Sequence, residues 1–554
     1  MTRKSATLVI TGLLTTAMMA AEADLPAVED CIPAAVRTLA EPAMIEFPGG
    51  IGMAVSASTY QAQARVLQGI NHLHGGWEFE ASRHFAAALR EDPECLLAHW
   101  GMVVCLLHPM PETLDARMAA CERMFALIER GAGTELERGY AYGLVKFLEE
   151  GPAAAANAFR KVSTRFPNDP QSAVFAAVFS RGGFDDSGEP TPDQEQARNA
   201  LLALVEKQPD SHVPLNALLL IHAEAPDPQT ALPHARRLAA MMPDYPPAAH
   251  LAGHYEWRCG NHAAAAAAFT RATSLYQKWM RDGGIPLADC PEWIKAEGYR
   301  IVAMASLGQD EAARAAAATL AATPDIDDRP SSAGNRMLLW EAKSLPARLA
   351  VASRAIAEQA ASSLPPPTQT AAYRKHSLAS WWIDGLRILF EARRLLESDD
   401  PDGARDVLAA LDHHCASMAR TRAAAVKNGE ISMWTRGLRG LEMLGAELRG
   451  DIAMAGPPGR RGTAYNWFSS AADRQRPATL LLPPVVPTPM AARLGEYHMD
   501  HGKPDEAVAA YQRALAAFPN HRLTLAGLLK ACEAAGRTGD AAEAAQMIEA
   551  LGQQ

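Results

Sequence analysis

The sequence predicts an all-α fold, an α-solenoid in which helix-turn-helix units stack one on the next. Three observations predict it. Small residues, an aromatic and a proline recur at fixed offsets in separate stretches, alanine occurs in runs such as HAAAAAAF and RAAAATLAA, and period-two alternation of β-branched residues is scarce. Alanine is the best helix former, and its small side chain lets helices approach closely. A regular period marks units that cannot bury an apolar face alone and must stack. A chain of 554 residues is also too long for one ordinary core, so an array or several domains is expected. With 48% hydrophobic and 21% charged residues and a mean hydropathy of -0.11, it is foldable, neither disordered nor membrane-embedded by composition.

At the N-terminus, MTRKS is followed by the apolar run ATLVITGLLTTAMMA and by Ala21-Glu22-Ala23. A basic start, a short apolar run and small residues before a cleavage point predict a secretory signal over residues 1–23, and so an exported, periplasmic protein. The run is short for a membrane span. No later stretch reaches that length, so no span is expected in the mature chain. Cleavage after Ala23 removes Arg3, Lys4 and Glu22 and shifts the formal charge from -10 to -11. An acidic chain repels phosphate backbones, so nucleic acid is not an expected partner.

Residues 24–325 are expected to form an N-terminal repeat solenoid. Gly69, Gly76, Ala81, Phe85, Ala88 and Pro93 set the offsets; Gly143, Ala155, Phe159 and Pro167 repeat part of them; Gly253, Gly260, Ala265, Phe269 and Ala272 do so again. Between these anchors, residues 93–132 read as two amphipathic helices divided by His108-Pro109-Met110-Pro111, and residues 183–196 as a polar loop. Residues 326–475 read as an irregular helical middle. Its breaks are 322–335 and 362–370, with a helical stretch over 336–361, a long helix over 373–398 and a loop over 456–463. Residues 476–554 are expected to be a terminal repeat pair, entered through the extended, proline-rich 481–489. Leu494, Gly495, Gly502, Ala507, Tyr511, Ala514 and Pro519 give the fullest set of offsets, and a weaker unit follows with Gly536 and Ala541.

The offsets have a physical logic. The glycine of the first helix and the alanine opening the second let two antiparallel helices touch. The aromatic fills the space against the next unit, and the proline stops the second helix because it lacks a donor. This set resembles the tetratricopeptide-repeat superfamily, which implies stacked helix pairs with a concave groove for a protein or peptide. Eight cysteines invite a disulfide reading. In the repeat register, though, Cys259 and Cys290 sit at opposite ends of equivalent helices, about 13 residues or roughly 20 Å apart. A bridge needs Cα atoms within about 7 Å, so buried free thiols are expected.

The resemblance also implies where function lies. Its groove-lining places on two successive first helices fall on Val213, Asn216, Leu220, Ala223 and Glu224, then on Pro247, His250, His254, Trp257 and Arg258. The expected binding groove is thus Asn216, Glu224, His250, His254, Trp257 and Arg258, with Trp257 as anchor. His250 and His254 are four apart and share a helix face. Together with His222 and Glu224 they form an alternative metal site for zinc or copper, as two imidazoles and a carboxylate suit those ions. The stretch Ile221-His222-Ala223-Glu224, followed by His250 and His254, resembles a bacterial subgroup of such repeats with I-H-A-x-E and H-x-x-x-H segments. Companion histidines of that pattern are replaced here by Leu218, Lys295 and Gly298, which weakens a metal role. His72 and His74 precede a Gly-Gly turn and read as groove or turn residues. No G-x-S-x-G, Walker or H-E-x-x-H motif occurs, so no catalytic residue is assigned and no cofactor is required. The lysine-plus-asparagine clamp of chaperone-binding repeats is also missing. The expected function is an exported scaffold that binds a protein or peptide; the alternative is a metal-binding or metal-assisted protein.

Overall fold

The computed structural model describes residues 25–108, 110–185, 188–353 and 356–552, so the expected signal at residues 1–23 lies outside it. Among the described residues the regular structure is helical, and the β pairing is one isolated bridge between Phe184 and Pro190. No helix among them is long and apolar enough to cross a membrane. The fold is an all-α solenoid of helix-turn-helix repeats.

The chain divides into two compact units. The first takes the residues up to Ala225 with Pro233–Ala248 and Trp279–Ile285; the second takes Pro226–Leu232, Ala249–Lys278 and Pro286–Gln554. In the first, helix Tyr60–His74 packs against Glu78–Glu91, and Glu135–Glu150 against Pro152–Arg165. A Cβ placed on Gly69 would lie 2.7 Å from the Phe85 ring, and one on Gly101, in the next helix, 2.3 Å from it. One ring therefore fills the gap left by two glycines, its own unit's and its neighbour's. Gly143 faces Phe159 in the same way, with Phe159 stacked on Phe179 of the following helix at 5.8 Å.

The second unit repeats the device. Gly253 meets Phe269, which stacks on Tyr299 of the next unit at 4.8 Å and 9°. Tyr511 fits between Gly495 and Gly527, with a Cβ on either falling 2.6 Å from the ring. The turn glycines Gly76, Gly260 and Gly502 have φ of 75, 79 and 66°, a left-handed conformation that L side chains resist. A large apolar core gathers the middle helices, Ala379–Glu397, Pro401–Lys427 and Ile431–Ala455, around Trp382, Phe390 and Trp434. Residues 336–361, expected to be helical, fall in helices Ala333–Trp340, Leu345–Ala352 and Ala357–Ser362, with a 3-10 turn at Ala342–Ser344. Among the described residues all eight cysteines are free, six of them buried.

Candidate functional site

The residues expected to form the groove fall in both units, and each set has its own surroundings. In the first unit Asn216 is buried on helix His212–His222, and its Nδ2 donates to the His74 carbonyl at 2.6 Å. This ties the helix to the turn of the first repeat. His222 is buried, and Glu224 is exposed just past the cap at Ala223. Glu224 follows Ala223 directly, whereas the I-H-A-x-E spacing puts its glutamate at the place held by Ala225.

In the second unit, helix Pro246–Arg258 turns its polar groups inward. His254 is fully buried, with Nδ1 3.1 Å from the Tyr299 hydroxyl. Trp257 donates from Nε1 to Ser306 Oγ at 3.1 Å and meets the Phe518 ring edge-on at 5.9 Å. Arg258 is buried. His250 packs edge-on against Phe269 and Tyr299. Burial pulls its imidazole down to about 4; Lys295 works in the same direction and the Leu480 contact against it. The ring is therefore neutral near pH 7, and Nε2–H donates to the Leu480 carbonyl at 2.8 Å, since a carbonyl can only accept.

That contact belongs to a series. The Tyr299 hydroxyl donates to the Thr479 carbonyl. Arg436 Nη2 donates to Pro483 at 2.5 Å, Arg348 Nε to Val485 at 2.7 Å and its Nη2 to Pro484 at 3.3 Å. Gln475 Nε2 reaches Thr488 at 2.8 Å. The segment from Thr479 to Thr488 is thus held by its main-chain carbonyls along a row of donors. Glu341, 0% exposed, aligns two of them, bonding Arg348 at 2.8 Å and Arg436 at 3.0 Å. Burial alone would raise its carboxyl; the two guanidiniums overcome this and hold it below the usual carboxylate range. Proline lacks only the N–H, so donors that bond carbonyls accept a proline-rich segment without loss.

The segment, expected to be extended, is non-helical, but it bends at 480–482 and 485–488 rather than running straight. No motif or repeat offset marks its seat, Tyr299, Glu341, Arg348 or Arg436. The available signal was a charge embedded in apolar helix sequence, as with Arg348 in LPARLAVA.

Residues 493–554 match the family described as Tetratricopeptide repeat, and the glycine–aromatic–glycine contact recurs in both units. Residues 493–554 are tetratricopeptide repeat. No curated protein matches this repeat protein in sequence. Among solved structures it is similar to the human IFIT1 dimer with m7Gppp-AAAA, at 12% identity over 90% of each chain and a TM-score of 0.32. It is also similar to yeast Tom70, at 11% identity over 87% of this chain and 90% of that one, with a TM-score of 0.23. The P58(IPK) TPR domain is 13% identical over 86% of this chain and 99% of that one, with a TM-score of 0.19.

Proposed function

We propose that the chain is an exported tetratricopeptide-repeat scaffold that binds an extended segment of a protein partner. The observation that supports this is the seating of residues 479–488 through their carbonyls on His250, Tyr299, Arg348 and Arg436. The groove reads backbone rather than side chains, as extended-peptide recognition requires. The chain's own segment is the resident ligand, and a partner strand of the same backbone chemistry competes for its place. His254 and Trp257 support this surface from behind; Asn216 is buried and spent on the His74 carbonyl, so it takes no part in it. A formal charge of -10 favours protein over a phosphate backbone as partner. His250 Nε2 and His254 Nδ1 are already hydrogen-bonded, which favours this reading over zinc or copper at His222, Glu224, His250 and His254.

The test uses a labelled peptide of sequence 479–488. It is titrated against wild type and against a variant in which those residues are replaced by a Gly/Ser linker of equal length. The linker variant takes up the peptide and wild type does not. Adding His250→Ala and Arg436→Ala to that variant weakens uptake at least tenfold, about 1.4 kcal/mol. A linker variant with wild-type helical content and no affinity for the peptide would remove the reading. Export is tested separately by the mass of the periplasmic product, which begins at Asp24.

A further inference from the structure

The first repeat holds a polar cluster in a place where such repeats are apolar. His72 lies near the end of helix Tyr60–His74; Glu80 and His84 lie one turn apart on Glu78–Glu91 and so share a face. One donor atom from each of the three lies within 4.8 Å of the other two. All are buried, His72 at 1%, Glu80 at 5% and His84 at 0% exposure. Neither ring nitrogen of His84 has a hydrogen-bond partner, and neither does His72 Nε2. A buried donor or acceptor left without a partner costs about 1–3 kcal/mol. One ion can take His72 Nε2 and one nitrogen of His84 together with a Glu80 oxygen, since one ligand atom from each residue lies in the same small space.

We propose that His72, Glu80 and His84 bind a divalent transition metal of borderline softness, with zinc as the reference ion. Two imidazoles and a carboxylate are a zinc donor set that leaves a fourth position open. Donors about 2.0–2.2 Å from one ion stand roughly 3.3–3.6 Å apart in tetrahedral geometry, so small side-chain rotations close the observed spread. The support around the cluster fits this role. His72 Nδ1 is held by the Tyr245 hydroxyl at 3.2 Å, which fixes the ring and leaves Nε2 as the ligand atom. The His72 and His84 rings lie face to face at 5.0 Å, and Phe47 and Trp77 close on His72 edge-on. Glu80 Oε2 accepts from Trp279 Nε1 at 3.0 Å and from Arg83 Nη1 at 2.7 Å. Arg83 competes with a cation for that carboxylate, and its Nη2 is held away on the Ala40 carbonyl at 2.9 Å. Burial, with a smaller push from Arg65 and Arg83, brings the His84 imidazole down to about 3. It is therefore neutral at physiological pH, the form that binds metal.

The test takes the full chain without an affinity tag, strips it with chelator, equilibrates it with Zn2+ or Co2+ and measures bound metal by elemental analysis beside far-ultraviolet circular dichroism. Wild type takes up one equivalent of zinc, and the cobalt form has the visible spectrum of a tetrahedral nitrogen- and oxygen-ligated ion. His84→Phe, which keeps a ring against His72, loses the metal at unchanged helical content and melts no lower than stripped wild type. Tyr245→Phe weakens binding about 10–100-fold, and His254→Ala keeps the full equivalent. If His84→Phe does not fold, Glu80→Gln decides, as it keeps volume and removes only the charged donor. Wild-type uptake well below one equivalent overturns the proposal. Uptake unchanged in His84→Phe, or in Glu80→Gln where that variant decides, does the same.

Discussion

Phe85 shows what one residue does in this fold. Its ring occupies space freed by two missing side chains, at Gly69 and at Gly101. Gly101→Ala drives a Cβ to 2.3 Å from that ring and is expected to cost about 1–3 kcal/mol as overpacking. Gly52→Ala meets nothing within 4 Å and stays within about 0.5 kcal/mol; urea unfolding of both variants measures the difference. At Glu341 the sign of the effect comes from charge. Glu341→Gln leaves Arg348 and Arg436 buried without their counter-ion, a loss of about 3–5 kcal/mol, read in the same unfolding experiment. A melting point at or above wild type would show that the triad does not stabilise the fold. The first of these residues was legible in the sequence and the second was not. Phe85 follows Gly69 at an offset that recurs along the chain, whereas the partners of Glu341 lie 7 and 95 residues away with no repeat to mark them.

Among the elements, helix Pro192–Lys207 begins inside a stretch read as polar loop. Its first turn is Pro192, Asp193, Gln194 and Glu195, which looks like loop by composition but is helix start by chemistry. Thr191 Oγ1 accepts from the Gln194 N–H at 3.3 Å, proline takes the first position, and the acidic residues sit at the positive end of the helix dipole. Thr191→Ala is expected to cost about 1 kcal/mol, with faster amide exchange confined to the first turn. The signal was present and was outweighed by local polarity. Residues 336–361 are helical as their apolar content suggests, but the 3-10 turn at Ala342–Ser344, followed by Pro346, gives the chain a corner that the content does not mark. That corner sets Glu341 and Arg348 within bonding distance of each other.

For the whole molecule, buried histidines set the response to acid. His99 and His250 are each lowered from 6.5 to about 4, chiefly by burial, while each keeps a hydrogen bond to a carbonyl. Unfolding returns them to ordinary values, so between pH 6.5 and 4 the unfolded chain binds more protons than the folded one. The stabilisation is complete above pH 6.5 and is lost as pH falls toward 4, at up to about 1.4 kcal/mol per pH unit for each ring. Urea midpoints measured from pH 7 to 4.5 should fall along this course, and the slope should shrink in a His99→Gln, His250→Gln double variant. An equal slope in both would assign the acid sensitivity elsewhere. At this scale the repeat class was legible, because stacking leaves a period in the sequence. The division into units was not. Tyr245 and Trp279 join the first unit through contacts with His72 and Glu80, 173 and 199 residues earlier, and such closures leave no local trace.

The segment at residues 479–488 also bears on the order in which the chain folds. The helices that carry His250, Tyr299 and Arg348 are made long before the carbonyls they bond, which come 230, 180 and 137 residues later. Until then, donors destined for burial face water, and the second unit has no finished interior. Closing so long a loop is slow although its entropy grows only gently with length. The second unit therefore completes late, in one concerted step, and a nascent chain halted before residue 479 is a natural client for a holding chaperone.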